Sequence, residues 1–544
     1  MHDAVVHTIS PARYALLLPA IAQVLCCRYN PLACRHRRMS SHRQAHSRML
    51  LSFVIVYLAC SVGIGLYAAT RVHNTKDFAV AGRSLPLPVV TATVFATWFG
   101  AETVLGISAT FVKDGLRAVV ADPFGSSLCL ILAGLWFARR LYRLNLLTIG
   151  DFYRLRYNRA VEVLCTLCIV ASYLGWVSAQ IKALGLVFNV VTDGAMSQSA
   201  GMVLGAVIVL TYTTFGGMFS VAILDFVQIT IIMGGMLYIG SVISGLAGGV
   251  GTVVTHAAEA GKLDFFPPAQ IEAWIPFVGA WVTMMFGSIP QQDVFQRITS
   301  ARNEDTAVRG SVLGGTLYFV FAFVPMFLAY SATLIDPAQV AGLLERDSQL
   351  ILPTLIVQHT PMAAQIIFFG ALLSAIMSCS SATLLAPSVA FSENIVKSLM
   401  PTISDRGLLA VMRSVLAGFT ALVLLFALNS EASIFKMVES AYKVTLVAAF
   451  VPLLAGLYWP RATTQGAICA IVTGLATWLM LEGTVTPDQV WPPQLVGALM
   501  AAGGMVIGSL LPQWITHPAT IDVPVGHRSH SMPVESHTGT HPSP

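Results

Sequence analysis

Two short stretches carry residue types that a simple membrane-spanning helix does not use. One is Thr97-Trp98-Phe99-Gly100-Ala101-Glu102, which sets an acid inside an apolar run. The other is Gly287-Ser288-Ile289-Pro290-Gln291-Gln292-Asp293, with a proline and two amides. A hard cation takes oxygen ligands and sheds water only where several of them converge. Freed backbone carbonyls at such a break supply ligands of that kind. Three partners fit Glu102: an ammonium group of a solute, the side chain of Lys182, or a proton. Gln291 and Gln292 offer hydrogen bonds to a polar solute. The chemistry these residues support is binding and release, not catalysis.

The elements that must position them are membrane helices. The chain has 544 residues, 56% hydrophobic and 10% charged, with a mean hydropathy of +0.73. Globular domains carry about 25% charged residues, so a soluble protein is excluded. A span needs about 20 apolar residues. Thirteen such stretches run from 49–69 to 494–512, making residues 49–512 one all-α transmembrane domain. The two interrupted stretches are the second and the seventh. Backbone leaves helical pairing at membrane depth only where it lines a cavity or is buried in protein. Corresponding breaks in two halves mark the binding site of an inverted-repeat secondary transporter. The spacing predicts two five-helix units, about 88–247 and 272–458.

Charge placement predicts orientation, because cytoplasmic loops are enriched in Lys and Arg. One set of alternate loops holds sixteen such residues, including Arg71, Arg139, Arg154, Arg297 and Arg461. The opposite set holds four: Lys113, Arg117, Lys262 and Arg346. The first span therefore starts outside and the C-terminus lies in the cytoplasm. Residues 1–48 hold seven arginines on the side expected to be poor in them. Their short apolar run, Leu16–Leu25, precedes most of those charges, the reverse of a signal peptide. This segment reads as an extension upstream of a start at Met39 or Met49. Residues 513–544, rich in Pro, Ser, Thr and His, read as a disordered cytoplasmic tail.

Cys165 and Cys168 fall in one helix, and no cysteine pair with metal-site spacing lies in a loop. Nothing resembles a nucleotide-binding loop or a nucleic-acid module; Gly216-Gly217 is a tight turn between spans. Asp225 stands at the start of the sixth span, where an acid marks either a cation path or a helix cap. Lys436, Glu439 and Lys443 share one helix face and suggest local ion pairing.

Four segments, in order, resemble the sodium:solute symporter family. They are Phe78-Ala79-Val80-Ala81-Gly82-Arg83-Ser84-Leu85; Tyr212 to Gly217 followed by Leu224-Asp225-Phe226-Val227-Gln228; Ile289-Pro290-Gln291-Gln292-Asp293-Val294-Phe295-Gln296-Arg297; and Leu373-Ser374-Ala375-Ile376-Met377-Ser378-Cys379. The resemblance covers about residues 50–480. It implies a LeuT-like five-plus-five inverted repeat and sodium as coupling ion, with no other cofactor. Carried over residue by residue, the sodium site comprises Ala101 and Val104 with Ala375, Ser378 and Cys379. Asp225 matches an acid linked to the cation path. Cys379 departs from the usual hydroxyl, which leaves proton coupling as an alternative. Ser378 also fits a hydroxyl bonded back to its own helix.

Within the family, the resemblance is closest to the high-affinity choline transporter branch. Trp98 and Trp176 match cage tryptophans of those proteins, while Gln291 and Ser126 stand where aromatics are expected. The implied solute is small, polar and organic: an amino acid, a carboxylate or a quaternary amine. A membrane solute sensor with the same fold is the alternative from another class.

Overall fold

The computed structural model describes residues 31–484 and 490–515, with side chains from Arg48 onward. The histidines of the tail and the first thirty residues lie outside the described residues. The described chain is helical, and its single β-bridge joins Leu85 to Ala301. Helix α1 spans Pro31–Ala69, so residues 31–48 continue the first span as helix. Then follow α2 (Leu87–Trp98) and α3 (Glu102–Asp114), bent by 51° across the first break. Next come α4 (Leu116–Arg143), α5 (Arg159–Val191) and α6 (Gln198–Leu246). Helices α7 (Ile271–Gly287) and α8 (Gln292–Ser300) meet at 45° across the second break. The rest are α9 (Glu304–Ile335), α10 (Met362–Leu399), α11 (Asp405–Asn429), α12 (Ile434–Tyr458), α13 (Thr464–Glu482) and α14 (Pro493–Leu510).

Among the described residues, ten helices are long and apolar enough to cross a bilayer, or twelve if each bent pair counts as one span. The thirteen expected from the sequence require α6 to be two spans. Its 49 residues would run about 73 Å at 1.5 Å per residue, more than twice a hydrocarbon core of about 30 Å. Gly217 interrupts it at φ 49°, ψ −142°. A Cβ there would lie 2.5 Å from the Phe78 ring and 2.6 Å from the Phe78 carbonyl. Only glycine accepts both the backbone angle and that approach.

The two broken spans run in opposite senses. Leu85 N–H donates to the Ser300 carbonyl at 3.0 Å, and Arg302 N–H donates to Leu85 at 3.0 Å. The entry to α2 thus lies beside the exit of α8, as an inverted repeat requires. Short helices absent from the sequence reading fill three connections: Ile149–Arg156, Val250–Glu259 and Pro337–Arg346. The first is fixed by a capping box, in which Thr148 and Asp151 satisfy each other's backbone donors. Arg297, counted from sequence among the loop charges, is instead buried in α8 at 2% exposure. The opposed loop counts become fifteen and four.

Candidate functional site

At the first break the chain exchanges helical partners for side chains. Phe99 leaves the helical region at φ −88°, ψ 79°. Ala101 N–H then donates to Gln180 Oε1 at 2.9 Å. Gly100 packs directly against α10. A Cβ there would lie 2.6 Å from Glu102 Oε2 and 2.9 Å from both Cβ and Sγ of Cys379. Glu102, 2% exposed, accepts from Trp176 Nε1 at 3.1 Å and from Gln180 Nε2. Cys379 Sγ stands 3.8 Å from Glu102 Oε1. Lys182 does not pair with Glu102. It donates to the carbonyls of Ser430 (3.2 Å) and Ala432 (2.7 Å), because it lies beyond the face of α5 that carries Trp176 and Gln180.

The second break is held from the other side. Pro290 lacks a donor, and the Gly287 carbonyl accepts instead from Thr445 Oγ1 at 2.7 Å. Gln291 Nε2 donates to Ser172 Oγ at 2.9 Å and to Thr445 Oγ1 at 3.4 Å. Gln292 Oε1 accepts from Ile149 N–H at 2.9 Å, tying the break to the helix Ile149–Arg156. Its Nε2 is buried without a partner. Tyr173 donates to Asp293 Oδ1 at 2.5 Å and accepts from Asp293 N–H at 2.9 Å. Arg297 Nε donates to Thr97 Oγ1 at 3.0 Å, a direct link between the two broken spans.

Helix α5 lies between the breaks and serves both. Ser172, Trp176 and Gln180 recur every four residues and so share one face, with Tyr173 beside them. The lower pair addresses the second break and the upper pair the first. Sequence reading singled out Trp176 alone; the signal for the others was this i, i+4 spacing. Trp98 and Trp176 approach at 5.3 Å between centroids. Tyr442 of α12 joins them at 5.9 Å and 5.5 Å, and Tyr173 stacks on Trp176 at 6.0 Å. Tyr442 was not anticipated, because only the fold brings α12 to the first break. Its hydroxyl is buried without a partner. The rings touch one another, so a ligand between their faces must part them.

The cation candidates form a second group. Asp225 is fully buried, well inside α6, which excludes the capping role. The Ser378 hydroxyl lies 2.5 Å from Asp225 Oδ1 and 3.0 Å from the Ala96 carbonyl. It therefore reaches two other helices and is not bonded back to its own. Ala375 and Cys379 flank it on α10, both fully buried. The carbonyl beside Ser378 is that of Ala96, before the break. Val104, by contrast, accepts the Ser108 hydroxyl at 2.5 Å within its own helix. Asp225 Oδ2 is buried without a partner. Lys443 pairs with Glu482 of α13 at 2.8 Å and not with Glu439.

An antiparallel pair of broken helices around a shared buried site defines a secondary transporter core. The chain matches the model of the sodium:solute symporter family over residues 78–474. It belongs to that family. The high affinity choline transporter 1 of Homo sapiens is 27% identical over 447 residues, covering 79% of this chain and 76% of that protein. The sodium/glucose cotransporter of Vibrio parahaemolyticus is 24% identical, covering 78% of this chain and 84% of that one. Among solved structures, a Na+-coupled sialic acid symporter superposes with a TM-score of 0.73 at 19% identity, covering 85% of this chain and 97% of that one. The likeness extends the LeuT-like fold to this protein.

Proposed function

We propose that this protein moves a small organic cation together with sodium across the cell membrane by alternating access of its two repeats. The observation that carries the reading is Glu102. This buried carboxylate receives three neutral donors, Trp176, Gln180 and the Cys379 thiol, and takes part in no ion pair among the described residues. An unpaired buried charge is costly. A cation arriving between Glu102 and the faces of Trp98, Trp176 and Tyr442 offsets that cost. Gln291 and Gln292 then orient a hydrogen-bonding group at the far end of the solute. Sodium is held by Ser378 and its α10 neighbours Ala375 and Cys379, with Asp225 beside it and carbonyls of the first broken span, Ala101 and Val104 or Ala96, completing the shell.

The test is uptake into proteoliposomes under an imposed sodium gradient, with choline, betaine, amino acids, sugars and carboxylates as competitors. Solutes bearing an ammonium group should compete and accumulate. Competition by sugars or carboxylates alone would overturn the cationic assignment. Ligand-induced thermal stabilisation without accumulation would favour the sensor.

A further inference from the structure

A second buried carboxylate lies behind the first break, away from the cation group at Ser378. Asp122 interrupts α4 at φ −140°, ψ 120° and is followed by Pro123. It is 2% exposed. Its Oδ1 accepts from Ser126 Oγ and from the Tyr318 hydroxyl of α9 at 2.6 Å. Tyr318 Oη lies 3.0 Å from Thr103 Oγ1 of α3. Thr103 Oγ1 in turn lies 3.2 Å from the Trp98 carbonyl, the last residue before the break. The chain Asp122–Tyr318–Thr103–Trp98 thus joins four helices. Its charged neighbours are few. Helix α3 presents Glu102, α9 presents Tyr318, and α7 meets adjacent Gly125 with Trp281, Met284 and Met285. Asp122 enters no ion pair among the described residues.

Counting protons along this chain distinguishes two states. Each hydroxyl carries one. When Asp122 is ionised, Ser126 and Tyr318 both donate to it. Thr103 then gives its single proton either to Tyr318 or to the Trp98 carbonyl, never to both. When Asp122 is protonated on Oδ1 it donates to Tyr318, Tyr318 donates to Thr103, and Thr103 donates to the Trp98 carbonyl. Hydroxyl rotation alone connects the two arrangements, with one proton entering from water. We propose that Asp122 is a proton-binding site of this symporter, linked through Tyr318 and Thr103 to the carbonyl at the first break. Proton occupancy commits Thr103 to that carbonyl; deprotonation lets Thr103 turn to Tyr318 and release it. An aspartate that only capped the following helix would stay ionised and would make no use of Tyr318. The site stands independently of what the cargo is.

The experiment is pH-difference infrared spectroscopy on the purified full-length protein, with protons as the only added ligand. Acidification protonates several carboxyls, Asp151 among them, and within their stretches the wild type should show one distinct band from Asp122. Asp122→Asn should abolish it, Glu102→Gln should retain it, and Tyr318→Phe should shift it by removing the partner of the acid. Absence of the band in the wild type would overturn the proposal. So would its persistence in Asp122→Asn or its loss in Glu102→Gln. If Asp122→Asn does not fold, the Tyr318→Phe spectrum decides: an unshifted band would overturn the proposal.

Discussion

At the scale of residues, the buried charges and their partners decide what the transporter can bind. Ser378 is the hinge of the cation group, because its hydroxyl meets both Asp225 and the Ala96 carbonyl. A hydrogen bond to a charged group contributes about 1.5–3 kcal/mol. Ser378→Ala should therefore raise the sodium concentration for half-maximal uptake by about tenfold or more. Unchanged sodium activation would remove Ser378 from the site. Much at this scale was legible beforehand. Glu102 and Gln291 stood out as polar residues in apolar surroundings, Trp98 and Trp176 through the choline-branch resemblance, and all four are buried near a break. Gln180 and Tyr442 were not legible in that way. An amide or a tyrosine in a long helix carries no mark of its partner until the helices are placed.

At the scale of elements, the breaks and turns are set by a few backbone positions. Gly217→Ala would force a Cβ onto Phe78 at a left-handed backbone angle. Strain of that kind costs about 1–3 kcal/mol, so the variant should melt at a lower temperature in thermal unfolding. Equal melting would show that α6 does not need this interruption. The helix Ile149–Arg156 offers a second test. Burial holds the Asp151 carboxyl above the ordinary carboxylate range, against the opposing effect of N–H groups donated by Thr148 and Leu147. A carboxyl raised on folding stabilises most below its unfolded value, and that contribution is lost as pH rises through the elevated one. Thermal stability should thus decline over that acidic window, and Asp151→Asn should flatten the decline. A steeper slope in the variant would refute the assignment. Asn394 reinforces this helix, donating to Asp151 Oδ1 and to Glu162 Oε1 at 3.0 Å each. The second break, the Ile149 helix and the end of α10 are thereby joined.

At the scale of the whole molecule, the two broken spans form one site because they run antiparallel and share α5. The side chains at the breaks are at most 3% exposed, so this conformation is sealed on both faces. Alternating access requires the seals to part in turn. The Gln292–Ile149 bond and the Asn394 cluster close one of them. They lie on the face whose loops carry most of the positive charge. We read that face as cytoplasmic. A fluorescent protein fused after the C-terminus should then be bright in cells, and an alkaline phosphatase fusion at the same point should be inactive. The opposite pattern would invert the assigned orientation.

Composition and spacing alone determined the membrane class, the pair of interrupted spans and their separation. The cost of charge and unpaired backbone in a bilayer leaves few other readings of such a pattern. The resemblance to the family added sodium as the implied coupling ion. Only the tertiary structure decided which groups meet. It placed Ala96 beside Ser378, turned Lys182 away from Glu102, moved Arg297 from the loops to the core and brought Tyr442 to Trp98. It also joined Asp122 to the first break through a tyrosine nearly two hundred residues away. Such contacts depend on the register and rotation of helices distant in sequence, and no local pattern encodes them.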